Sequence, residues 1–187
     1  NPGTDPAYAD AAIATGRRLA ERGVRIVYGG GAVGLMGRMA GAAMDAGGEV
    51  VGVIPDFLEA VELGARDITE LHVTETMHER KALMSELSDA FVALPGGIGT
   101  FEEAFEVMTW TQLGIHDKPI ALIDVNGFYA PAAALLDRAV ADGFLAPEVR
   151  AAILVVPTAD AALDGFATWE RPAIGKWTER PVTVEDT

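Results

Sequence analysis

Cysteine is absent from the chain, which excludes disulfides, thiolate metal sites and a cysteine nucleophile. Basic residues are scarce: 14 lysines and arginines stand against 28 aspartates and glutamates, a formal charge of −14. A non-specific nucleic-acid or anionic-membrane surface needs the opposite sign, so neither partner is expected, though a local basic pocket is compatible with the total. No apolar run is long enough to span a bilayer. No basic-then-apolar leader precedes the first residues, so the expectation is a soluble, cytoplasmic protein. The histidines His72, His78 and His116 lack metal-ligand spacing, and no metal is expected. There is neither a G-x-S-x-G nucleophile elbow nor a Walker lysine behind a glycine loop.

What is present suffices for one domain: 187 residues, 50% of them hydrophobic. Short β-branched runs alternate with longer helical patterns. Strands are predicted at Val24–Tyr28, Glu49–Ile54, Leu71–Val73, Ala90–Leu94, Pro119–Asp124 and Ile153–Val156. Helices are predicted at Ala9–Glu21, Leu35–Ala46, Met77–Leu87, Thr100–Leu113, Phe128–Ala141 and Ala159–Thr168, with a loop or short helix over Asp56–Asp67. Such alternation implies an α/β fold, a single-domain Rossmann-like three-layer α/β/α sandwich whose sheet is mostly parallel. Ligands then sit at the carboxyl ends of the strands. The domain is read as residues 1–168, and residues 169–187 as a polar tail that wraps the surface or is partly mobile. No strand precedes the first helix, although a doubly wound fold normally opens with one near the sheet centre. The expectation is therefore that the natural protein carries an opening strand before Asn1.

Three stretches carry candidate chemistry. In Tyr28–Gly37 (YGGGAVGLMG), Gly29, Gly31 and Gly34 have dinucleotide-fingerprint spacing between a strand and a helix, with Gly30 among them. They serve either close approach of a ligand or a tight, closely packed turn. Asp56, the nearest acid after the next strand, stands behind Pro55, which disfavours a dinucleotide. In Thr74–Met84 (TETMHERKALM), Thr76 and Glu79 have capping-box spacing, which starts a helix there. Met77, Arg80, Met84 and Leu87 then share its apolar stripe. A cation on that stripe, in a first turn where the helix dipole opposes it, requires an anionic partner. That partner is a buried structural acid, an anionic ligand or a catalytic carboxylate. Lys81 adds charge at the same edge, and it is one of three lysines in the chain.

The third stretch is Leu94–Glu103 (LPGGIGTFEE). Thr100 and Glu103 again have capping-box spacing, so Glu103 has a purely structural reading. That reading leaves the turn glycines Gly96, Gly97 and Gly99 without a purpose. If a phosphate sits on the turn's N–H groups, Glu103 lies about one helical turn, ~5 Å, further along. A carboxylate displaced from the phosphate towards its ribose suits a positively charged, oxocarbenium-like transition state at the anomeric carbon.

Taken with "TWTQLGIHDKPIALID", Thr109–Asp124, these motifs resemble the LOG family of cytokinin riboside 5′-monophosphate phosphoribohydrolases, many of which carry the label lysine decarboxylase. The resemblance spans Pro6 to about Ala167, and Pro95–Glu103 matches the family's P-G-G-x-G-T-x-x-E signature in full. It implies hydrolysis of the N-glycosidic bond of N6-modified adenosine monophosphates, and of AMP, without metal or organic cofactor. It implies a homodimer able to assemble further. The family's catalytic pair falls on Arg80 and Glu103; its nucleotide-binding positions fall on Lys81, on Gly96, Gly97, Ile98, Gly99 and Thr100, on Thr109, and on Glu62. The family's opening strand and its Gly-Ser ending have no counterpart here. A decarboxylase that uses pyridoxal would need a Schiff-base lysine, a pyridinium partner and a larger fold, so that label is rejected. The alternative is a non-catalytic nucleotide or cofactor carrier similar to the molybdenum-cofactor carrier proteins. A DNA-binding relative is opposed by the charge.

Overall fold

The structure, a computed structural model, describes residues 1–59 and 67–172. Its elements run α1 (Pro6–Glu21), β1 (Ile26–Tyr28), α2 (Gly34–Asp45), β2 (Val50–Pro55), α3 (Asp56–Glu59), β3 (Glu70–Thr74), α4 (Met77–Glu86), β4 (Phe91–Ala93), α5 (Ile98–Leu113), β5 (Ile120–Ile123), α6 (Ala130–Ala141), α7 (Pro147–Ala152), β6 (Ile153–Val156) and α8 (Ala159–Ala167). The expected Rossmann-like α/β alternation is present.

All strand pairs are parallel, with Ile26 opposite Val50, Val51 opposite Glu70, Phe91 opposite Ile120 and Ile120 opposite Ile153. Among the described residues they form two three-stranded sheets, ordered β1-β2-β3 and β4-β5-β6, within the expected Rossmann-like arrangement of parallel strands flanked by helices. The central strands, β2 and β5, are buried throughout, as apolar runs covered on both faces must be. The edge strand β3 exposes Glu70 and Val73. Ile26, Tyr28 and Val50 of one sheet share a core with Ile123 of the other, and Val92 and Leu94 pack against it. A second cluster joins Ala93, Ala104, Met108, Leu122 and Tyr129. The Tyr28 hydroxyl has no partner among the described residues, and burial pushes its pKa to about 12.

Differences from the predicted boundaries have local causes. The first strand starts at Ile26 because the Val24 amide still donates to the Leu19 carbonyl, closing α1 through Gly23 at φ +68°. Helix α6 starts at Ala130, after a 3₁₀ turn over Val125–Gly127, with Pro131 in its first turn. The six-residue α7 is too short to show a helical period in sequence. The tail begins in contact with the body: Trp169 Nε1 donates to the Ala152 carbonyl at 2.9 Å, and Arg171 pairs with Asp117 at 2.8 Å. Residues 173–187 and Glu62 lie outside the described residues.

Candidate active site

Parallel pairing brings the carboxyl ends of β1 and β2 side by side, and the predicted capping box places α4 beyond them. Thr76 Oγ1 accepts from the Glu79 amide, and Glu79 Oε2 accepts from the Thr76 amide, both at 3.2 Å. The helix therefore begins at Met77, and Arg80, its fourth residue, points inward with 6% exposure. Its guanidinium is held by two carbonyls and faces a carboxylate. Nε donates to the Val53 carbonyl at 3.2 Å and Nη2 to that of Gly29 at 3.3 Å. Nη1 lies 3.7 Å from Glu103 Oε1 and 3.7 Å from Met77 Sδ. The required anionic partner is thus Glu103, and the strand-end carbonyls supply the remaining hydrogen bonds that a buried cation needs.

Glu103 comes from α5, whose start differs from expectation. The helix opens at Ile98, with Gly97 as its N-cap and no side chain capping it. Thr100 is therefore inside the first turn, and the capping reading of Glu103 does not hold. Gly97 serves as the cap three residues earlier. Among the described residues, no side-chain cap accepts from the first N–H groups of α5. Among the described residues nothing stands within 4 Å of where a Cβ on Gly97 or Gly99 would lie, and Ile98 is 85% exposed. Thr100 lies against Gly96, where a Cβ would overlap Oγ1. The turn is braced from below: Tyr129, 2% exposed, donates from its hydroxyl to the Leu94 carbonyl at 2.7 Å.

Lys81 also reaches α5. Its ammonium bonds Glu102 at 2.6 Å and Glu106 at 3.0 Å, which raises its pKa, chiefly through Glu102. Adjacent cations on α4 therefore bind three acids on α5. The Thr109 hydroxyl donates to the Phe105 carbonyl one turn earlier, and the residue is exposed. At the other turn, Gly30 (φ +75°) and Gly34 (φ +67°) require glycine for their backbone, and the side of Gly29 is filled by Arg80. Among the described residues, no group of three or more histidines or acids is gathered to hold a metal.

Sequence reasoning missed the carbonyls of Gly29 and Val53 and the brace from Tyr129. Backbone acceptors carry no residue signature. The i, i+4 spacing of Glu102 and Glu106 was readable, but it takes the tertiary contact to show that they face Lys81.

The model of a family described as "Possible lysine decarboxylase" matches residues 36–166. "Probable cytokinin riboside 5′-monophosphate phosphoribohydrolase LOGL1" of Oryza sativa subsp. japonica is 48% identical over 171 residues, covering 91% of this chain and 77% of its own. "Cytokinin riboside 5′-monophosphate phosphoribohydrolase" of Rhodococcoides fascians is 48% identical over 163 residues, covering 87% and 82% respectively. The chain belongs to the LOG family. Arg80, Lys81, Pro95–Glu103 and Thr109 all lie within the span that the LOG-family model matches, while Gly29 to Gly34 precede it. A solved molybdenum cofactor carrier protein from Chlamydomonas reinhardtii has a TM-score of 0.63 at 20% identity, covering 87% of each chain; that likeness is one of fold.

Proposed function

We propose that the protein hydrolyses the N-glycosidic bond of cytokinin riboside 5′-monophosphates, and of AMP, releasing the free adenine-type base and ribose 5-phosphate. The observation that carries this reading is the pairing of Arg80 with Glu103 beside the uncapped start of α5. The open N–H groups of Gly97 to Thr100 and the helix dipole receive the 5′-phosphate. The ribose then extends along α5 towards Glu103, five residues beyond Ile98, roughly 7 Å at ~1.5 Å per residue. As the bond to the base lengthens, positive charge builds on the sugar, and the Glu103 carboxylate stabilises it and orients the attacking water. Arg80, fixed by two carbonyls, holds that carboxylate in place. Lys81, bound to Glu102 and Glu106, sets the α4–α5 spacing and adds positive potential for the phosphate. Thr109 and Glu62 complete the proposed binding positions, and Gly30, Gly31 and Gly34 line the neighbouring turn.

Lysine decarboxylation has no support in the side chains of the described residues, which include Lys81 and Lys118 but not Lys176. Lys81 is committed to two carboxylates, and Lys118 Nζ donates to the Ser85 carbonyl at 2.7 Å. The carrier reading leaves the Arg80–Glu103 pair without a purpose. We also propose a cytoplasmic homodimer. Ile98, Phe105, Leu113 and Ile115 are exposed apolar residues on or just after α5, a surface that suits a second copy. No described helix is long and apolar enough to cross a membrane.

The test is a chromatographic assay of isopentenyladenosine 5′-monophosphate, AMP and isopentenyladenosine in parallel. Free base is expected from both monophosphates and not from the nucleoside, and their rate ratio gives the specificity. No base from any of the three would overturn the proposal.

A further inference from the structure

The glycine turn after β1 serves Arg80 rather than a ligand at its first position. Gly29 does not adopt a positive φ, so its backbone would accept any residue; Gly30 and Gly34 next to it would not. What demands glycine at 29 is space. A Cβ there would overlap Arg80 Nη2 and stand 3.2 Å from Cζ. The next nearest atom is Met36 Sδ at 3.4 Å, the end of a side chain that can move. The same residue supplies a hydrogen-bond acceptor, since its carbonyl takes the Nη2 proton at 3.3 Å.

We infer that Gly29 is a positioning residue for Arg80: the missing side chain leaves the volume that the guanidinium fills, and the carbonyl fixes its angle. This inference rests on the reading above, in which Arg80 orients Glu103. With a methyl group at position 29, the guanidinium must leave its seat. It then forfeits the Gly29 and Val53 carbonyls together, and Nη1 withdraws from Glu103. Gly29 acts through Arg80 and touches no substrate.

A double-mutant cycle with Gly29→Ala and Arg80→Ala tests this, read both by urea unfolding and by AMP hydrolysis. Gly29→Ala alone should lower the unfolding midpoint and reduce kcat about 10²-fold, as a displaced orienting group does, with KM for AMP unchanged. In the Arg80→Ala background the same substitution should shift neither midpoint nor kcat, because the space is vacant. A Gly29→Ala protein that fails to fold while the double variant folds also supports the seat. Equal midpoint losses in both backgrounds, or a raised KM in both, would overturn it in favour of a ligand contact or a general packing role. If the wild-type protein releases no base, the proposed function falls, and the unfolding cycle still decides whether Gly29 seats Arg80.

Discussion

The turns after β1 and β4 resemble one another in sequence: each carries several glycines, each hands a parallel strand to a helix, and each lies at the strands' carboxyl ends. Their surroundings differ. At the first, the space beside Gly29 belongs to Arg80, and Gly30 packs against Ile54 and Leu71. At the second, nothing among the described residues stands within 4 Å of a Cβ on Gly97 or Gly99. The first turn is packed by the protein itself, whereas the second, apart from Gly96 against Thr100, is open, as the proposed phosphate site requires. A glycine-rich turn at a strand end is therefore not in itself a ligand site, and what a side chain there would meet separates the two cases.

The contrast is broken or sharpened by graded substitutions. Glu103→Gln has the largest expected effect, a fall of about 10²- to 10⁴-fold in base release, with little change in the urea midpoint. Retained activity would detach the open turn from catalysis. Gly99→Ala comes next, and it is the mirror of the substitution at Gly29. Inside the first turn of α5 and with free space around it, alanine should leave stability unchanged or raise it by up to about 1 kcal/mol. KM for AMP should meanwhile rise about tenfold, the equivalent of ~1.4 kcal/mol in binding, as the methyl group crowds the phosphate. A kcat loss with unchanged KM would remove the distinction between the turns. Tyr129→Phe leaves the Leu94 carbonyl without its donor and should cost about 1 kcal/mol in urea unfolding, with a smaller loss of activity than at Glu103.

The smallest effect concerns pH and lies away from both turns, at the end of α5. His116 accepts the Lys118 amide at Nδ1, and it is flanked by Phe91 and Trp110. Desolvation, then the nearby Lys118 charge, hold its pKa below the usual histidine value. As pH falls, the unfolded chain takes up this proton first, so folding stability declines below about pH 6.5 and His116 contributes no slope well above it. His116→Asn should flatten the change in urea midpoint between about pH 7 and pH 5.5. An unchanged slope would assign the pH dependence to other groups.

Much of the fold was legible before any coordinates, and for local reasons. The β-branched runs Glu49–Ile54 and Pro119–Asp124 match the buried centres of the two sheets. The capping box of Thr76 and Glu79 is where it was predicted, because its donors and acceptors are three residues apart. Arg80 was recognisable as a buried cation from its place on an apolar stripe. The same spacing rule misled at Thr100 and Glu103, since a glycine three residues earlier, Gly97, caps the helix first.

Local spacing, periodicity and charge were thus enough to announce the alternating α/β layers, the two glycine turns and an inward-facing arginine in need of an acid. They were not enough to show which cation each acid of α5 meets, Glu103 facing Arg80 while Glu102 and Glu106 face Lys81. Nor could they divide the two turns into packed and open. Gly29 and Arg80 are 51 residues apart in the chain, and their hydrogen bond exists only because β1 pairs with β2 and α4 packs beyond the strand ends. Steric exclusion and hydrogen-bond satisfaction between distant segments are properties of the packed chain, and they decide which glycine gives its space to a buried arginine and which is left open.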